Sequence, residues 1–223
     1  MTLRQRLRKK LGHTVLFDAW QRLRQGREHQ RWITAGRPLP PPHRVKQLAL
    51  RRYARQFELE VLVETGTYLG DMVAALRRDF RALYSIELGV ELYQAARQRF
   101  AASPHVQLLQ GDSAEVLPRL LEQLPGPALF WLDGHYSSGV TARGSKDTPV
   151  LQELDAILAS GSGPHVILID DARCFTGEDD YPSLDALRRR VLLDPRLAFC
   201  VEDDIIRITP PSSAPGLRPG SGD

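Results

Sequence analysis

The chain has 223 residues, 42% of them hydrophobic and 26% charged, enough to bury one substantial core and to be read as a single globular domain with appended ends. No stretch approaches the eighteen or so consecutive apolar residues of a membrane span. The N-terminus MTLRQRLRKKLGHTVLF meets Gly12, His13 and Asp18 where a secretory signal would have its apolar middle, and the lone pair Cys174 and Cys200 fits a reducing compartment. A cytoplasmic location is the expectation.

The net charge of +3 conceals an asymmetry. Residues 1–60 carry 15 of the 30 Lys and Arg against four acids, a net +11, while the remainder has 15 basic against 23 acidic residues, a net −8. Residues 1–57 are therefore read as a basic, partly helical N-terminal arm, with helical apolar spacing around Leu48 to Phe57. Such an arm is a candidate for binding an anionic partner such as nucleic acid or a membrane surface. Within it GRPLPPPH, residues 36–43, reads as an extended linker, because proline fixes φ and removes a donor.

From residue 58 onward short apolar runs alternate with helical periodicity. Strands are expected at 60–64, 82–88, 105–111, 128–134 and 165–171, and helices at 70–79, 89–102, 114–124, 149–160 and 183–193. Strands that are apolar on both faces and separated by helices imply a doubly wound, mostly parallel α/β sheet. The rhythm then breaks: LAFCVE and DIIRIT are separated by only one residue, Asp203, and are expected to close the seven-stranded sheet as an antiparallel hairpin. Residues 210–223, rich in Pro, Gly and Ser, have almost nothing to bury and are expected to form a disordered tail.

In such a sheet ligands bind at the carboxyl ends of the strands, beside the point where strand order reverses. The first strand ends in VLVETGTYLGD, with the spacing Glu64-x-Gly66-x-x-x-Gly70. Glycines there let the backbone approach a ligand, and an acid in place of the first glycine of a nicotinamide motif suits a ligand that carries positive charge. Glu87, twenty-one residues after Gly66, closes the second strand, where a carboxylate can take both hydroxyls of a ribose. Asp112 and Ser113 close the third, where an adenine edge would lie.

At this point the chain resembles the Rossmann-like class of S-adenosylmethionine-dependent methyltransferases. The resemblance covers residues 58–209 and rests on VETGTYLGD, SIEL, GDS, FWLDGHY and ILIDDAR in that order. It implies that Thr65, Gly66, Tyr68 and Gly70 lie under the methionine part of the donor beside Glu64, with Glu87 on the ribose and Asp112 with Ser113 near the adenine. Asp133 ends the fourth strand, and Asp170 with Asp171 the fifth. Three converging carboxylates suit Mg²⁺, and the pattern is similar to the metal-dependent branch that methylates hydroxyls of catechols and sugars. By that likeness Asp133, Asp170 and Asp171 are candidate metal ligands, with Asp133 also touching the donor. Two residues on, His135 is the candidate general base. The loop at 135–148 and the segment at 173–182, with Arg143, Lys146 and Arg173, would rim a pocket for a small-molecule or glycan hydroxyl acceptor. Nucleic-acid methylation and a non-catalytic scaffold role remain alternatives. Against the first stands the lack of an Asn-Pro-Pro-Tyr or Pro-Cys element.

Overall fold

The computed structural model describes residues 15–133, 149–161, 163–178 and 181–211. Strands β1 (Val61–Thr65), β2 (Ala82–Glu87), β3 (Val106–Gln110), β4 (Leu129–Leu132), β5 (Val166–Ile169), β6 (Ala198–Glu202) and β7 (Ile205–Thr209) form one sheet in the order β3-β2-β1-β4-β5-β7-β6. The first five run parallel, and β7 is antiparallel to both of its neighbours. Strand order reverses between β1 and β4, so the crevice of a doubly wound sheet opens at the ends of these two strands.

Seven α-helices are present among the described residues: α1 (Val15–Thr34), α2 (His43–Gln56), α3 (Asp71–Leu76), α4 (Val90–Arg99), α5 (Ser113–Leu121), α6 (Val150–Ala159) and α7 (Leu184–Val191). Successive strand residues face opposite layers. Val63, Phe130 and Ile167 pack with Leu117, Leu154 and Leu187 of α5, α6 and α7. Leu62, Trp131 and Leu168 pack with Leu50, Val73 and Ala96 of α2, α3 and α4. Phe130 and Trp131 are fully buried, each contributing about 1.5–3 kcal/mol by its removal from water. This two-sided burial is why the central strands read as unbroken apolar runs.

All five parallel strands and the five helices between and after them fall within three residues of their expected ends. The hairpin is also as expected. Asp203 and Asp204 have φ of 52° and 62°, the two positive values a tight I′ turn requires. No helix among the described residues is long and apolar enough to cross a membrane.

Several basic residues of the first 57 pair with acids of the α/β domain. Helix α2 buries Val45, Ala49, Leu50, Tyr53 and Ala54, and Trp32 at the end of α1 donates its indole N–H to Pro38 O at 2.7 Å. From this packed helix Arg51 reaches Asp79 at 3.0 Å and Arg52 lies 3.8 Å from Glu202, while Arg37, between the two helices, lies 3.7 Å from Asp203. Part of the charge asymmetry between the two parts of the chain is thus neutralised within the molecule.

Candidate active site

Glu64 lies at the end of β1 and is buried. Its Oε2 accepts from Ser85 Oγ at 2.5 Å, and Ser85 Oγ is 2.6 Å from Thr67 Oγ1, so that a chain of hydroxyls links the turn after β1 to β2. Burial pushes the Glu64 carboxyl up to about 8, against the Ser85 hydrogen bond and with the help of the negative charges of Asp133 and Glu87. An acid in this state is held proton-bound at neutral pH until a positive charge arrives.

The glycine turn is tied to the end of β2. Gly66 has φ of 85°, and the N–H groups of Gly66 and Thr67 both donate to Ile86 O. Glu87, buried, accepts from Tyr68 N–H at 2.7 Å and from Gly89 N–H at 2.8 Å. A Cβ at Gly89 would come within 3.1 Å of Glu87 Oε1, so the lack of a side chain there is what leaves room for the carboxylate. Gly70 shares the positive φ, 71°, and a Cβ there would in addition fall 2.7 Å from the Phe100 ring, so the protein itself takes that space. Tyr68 on this turn is 43% exposed.

At the end of β3, Asp112 caps α5 by accepting from Ala114 N–H at 3.0 Å, and Ser113 is buried beneath it. Behind Ser113 and Thr65 stands Glu153 of α6, fully buried, its carboxyl pushed up to about 7 by burial against the two hydroxyls beside it. The sequence signal for Glu153 was its place among the apolar positions Val150, Leu154 and Ile157 of α6. An acid on such a stripe is buried for a reason.

The ends of β4 and β5 bring Asp133, Asp170 and Asp171 together, as the strand order requires. Asp171 takes the left-handed conformation, φ 55°, and its N–H donates to Asp170 Oδ1 at 2.9 Å. Burial and mutual repulsion push the carboxyls of Asp133 and Asp170 well above their ordinary values. The cluster contains one residue that was not anticipated. Lys46 of α2 places its Nζ in direct contact with Asp170 Oδ2 and 3.5 Å from Asp171 Oδ1. Burial works against its charge, yet Asp170, Asp133 and Asp171 more than compensate and raise the lysine above its ordinary value. Arg173, expected at an acceptor rim, bonds to Asp171 Oδ1 at 2.9 Å and to buried Asp204. Among the described residues no group of three or more His, Cys, Asp and Glu side chains is arranged to hold a metal ion. The donor set does not fit Mg²⁺ as it stands, because an ammonium group already lies on Asp170 and Asp171. His135, Tyr136, Arg143 and Lys146 lie outside the described residues.

No protein-family model matches the sequence, and no curated protein matches it. Solved structures do resemble the fold. An SAH-bound methyltransferase of Podospora anserina, PaMTH1, aligns with a TM-score of 0.56 and 21% identity over 83% of this chain and 87% of its own. The SAM-bound O-methyltransferase TomG of Streptomyces achromogenes, involved in tomaymycin synthesis, gives 0.54 and 18% over 83% and 88%. An SAH-bound O-methyltransferase of Bacillus cereus gives 0.56 and 14% over 92% and 96%. At these identities the architecture is what is shared, and this chain has the α/β methyltransferase fold.

Proposed function

We propose that the protein transfers the methyl group of S-adenosylmethionine to a hydroxyl oxygen of a small molecule, with a sugar or glycan as the favoured acceptor class. The observation that carries this reading is the pair Glu64 and Glu87. Both are buried at adjacent strand ends, and among the described residues both are held by hydroxyl and backbone donors with no cation between them. Such a pocket is short of positive charge, which a sulfonium and an α-ammonium group would supply. The solved structures of similar fold that hold SAM or SAH support the same ligand.

In this reading Glu64 faces the cationic end of the ligand, over the turn formed by Thr65, Gly66, Tyr68 and Gly70. Glu87 keeps two backbone N–H groups fixed and takes the ribose hydroxyls on its remaining lone pairs, while Asp112 and Ser113 border the adenine. S-adenosylmethionine, when bound, supplies a methyl group on a positively charged sulfur. Asp133, half-buried at the end of β4 and raised in pKa, borders both the donor turn and the Asp170–Asp171 pair. It is placed to orient an acceptor hydroxyl, and His135 two residues later is assigned the proton. The Mg²⁺-assisted form of the reaction is not part of this proposal, because Lys46 already neutralises the carboxylates that would hold the ion.

The test is methyl transfer from isotopically labelled S-adenosylmethionine to a panel of hydroxylated sugars, glycans and phenols. Label in an acid-stable ether product supports the reading. Label that appears only in added RNA or DNA would replace it with nucleic-acid methylation.

A further inference from the structure

We propose that Lys46 is the resident counter-ion of the Asp133, Asp170 and Asp171 cluster and occupies the position in which a divalent ion would otherwise bind. The proposal rests on reading these strand ends as the transfer site. Lys46 is separated from Asp170 by 124 residues in sequence, so the contact is made by the fold and not by local chain geometry. Its side chain is 15% exposed. Helix α2 delivers it from a fixed base: Lys46 lies on the same stripe as Ala49, Leu50 and Tyr53, three, four and seven residues on, all of which are buried. The lysine is therefore held by a packed helix, unlike a surface side chain that happens to reach an acid.

Both oxygens of Asp170 and one of Asp171 are also engaged. Asp170 Oδ2 meets the ammonium, and Asp170 Oδ1 accepts Asp171 N–H at 2.9 Å. Asp171 Oδ1 is shared between Lys46 at 3.5 Å and Arg173 at 2.9 Å. A divalent ion entering here would have to expel the ammonium or sit a few ångströms from it, with like charges in a poorly screened site. The ammonium supplies three donors and no acceptor. It bridges the carboxylates of Asp170 and Asp171. Helix α2 is thereby a part of the site.

The experiment is electron paramagnetic resonance titration of Mn²⁺ into the full-length protein and its Lys46→Met, Lys46→Gln and Lys46→Arg variants, with S-adenosylmethionine calorimetry on the same preparations. Wild type and Lys46→Arg should leave Mn²⁺ free, whereas the two uncharged variants should gain a one-to-one site at least tenfold tighter, removed again by adding Asp170→Asn. A stoichiometric Mn²⁺ site in wild type that is lost in Asp170→Asn would overturn the proposal, and this arm needs no lysine variant to fold. Folded Lys46→Met and Lys46→Gln that gain no Mn²⁺ affinity would also overturn it. Failure of S-adenosylmethionine to bind any of these proteins would instead remove the transfer-site reading, and leave the lysine's role to the Mn²⁺ result alone.

Discussion

The acids at the two halves of the sheet are neutralised in different ways. At the ends of β1 and β2, Glu64 and Glu87 are held by hydroxyls and backbone N–H groups. At the ends of β5 and of the β6–β7 turn, Asp170, Asp171 and Asp204 are held by Lys46 and Arg173. Hydroxyl and backbone donors bring no charge, so Glu64 stays protonated until a cation arrives, whereas Lys46 and Arg173 neutralise their carboxylates directly. On the proposed function the first half receives positive charge from the ligand, while the second half has supplied its own.

Breaking each half separately should produce opposite phenotypes. The largest effect is expected from Asp170→Ala, which strands the Lys46 ammonium in a mostly buried site. Removing one partner of a buried ion pair costs about 3–5 kcal/mol, seen as a fall in the urea midpoint, while S-adenosylmethionine affinity per folded molecule should change little. Glu87→Ala should do the reverse. Loss of charge-assisted hydrogen bonds, each about 1.5–3 kcal/mol, should weaken calorimetric S-adenosylmethionine affinity by about 10²-fold, with Glu87→Gln intermediate. Unaltered affinity in Glu87→Ala would take the ribose contact away from this residue.

Gly66→Val tests the turn between them. A β-branched residue at a φ of 85° is strained by about 1–3 kcal/mol, so affinity should fall about 10-fold or more, with a smaller loss for Gly66→Ala. A variant that binds normally would show that the turn accommodates a side chain and does not lie under the ligand.

Titration sharpens the same contrast without a mutation. Glu64 stands at about 8 in the free protein, and a cationic ligand binds its ionised form. Affinity should therefore rise by up to roughly tenfold per unit from pH 6 to pH 8 and level off above, and Glu64→Gln should flatten that profile. The stability of the ligand-free protein should move in the other direction. Glu64 and Glu153, raised to about 8 and about 7, ionise near their ordinary values when unfolded, so stability present below about pH 4.5 is lost as pH rises through 7 and 8. Thermal unfolding followed across this range with and without S-adenosylmethionine separates the two trends.

The sheet was legible because its strands are buried on both faces and therefore written as short unbroken apolar runs, VLVET and VILI among them. The acids at the strand ends were legible for the same reason, since each interrupts such a run. Their partners were not. Ser85 lies inside β2 with nothing in its neighbours to mark it as the donor to Glu64. Lys46 is one of 15 basic residues in the first 60, and only its position on the buried stripe of α2 distinguishes it. Charge composition points the arm outward, whereas the packing of α2 turns Lys46 inward onto the strand-end carboxylates. The sequence pattern at Asp133, Asp170 and Asp171 is the same whether a metal or a lysine neutralises it, because the neutralising group comes from a distant part of the chain.

The most direct test of the account is a calorimetric titration of the purified full-length protein with S-adenosylmethionine, with NADH as the competing dinucleotide. One-to-one binding of S-adenosylmethionine with proton release near neutral pH is expected, because the ligand's charge ionises Glu64, with no comparable heat from NADH. Tighter binding of NADH, or the absence of S-adenosylmethionine binding by a folded protein, would contradict it.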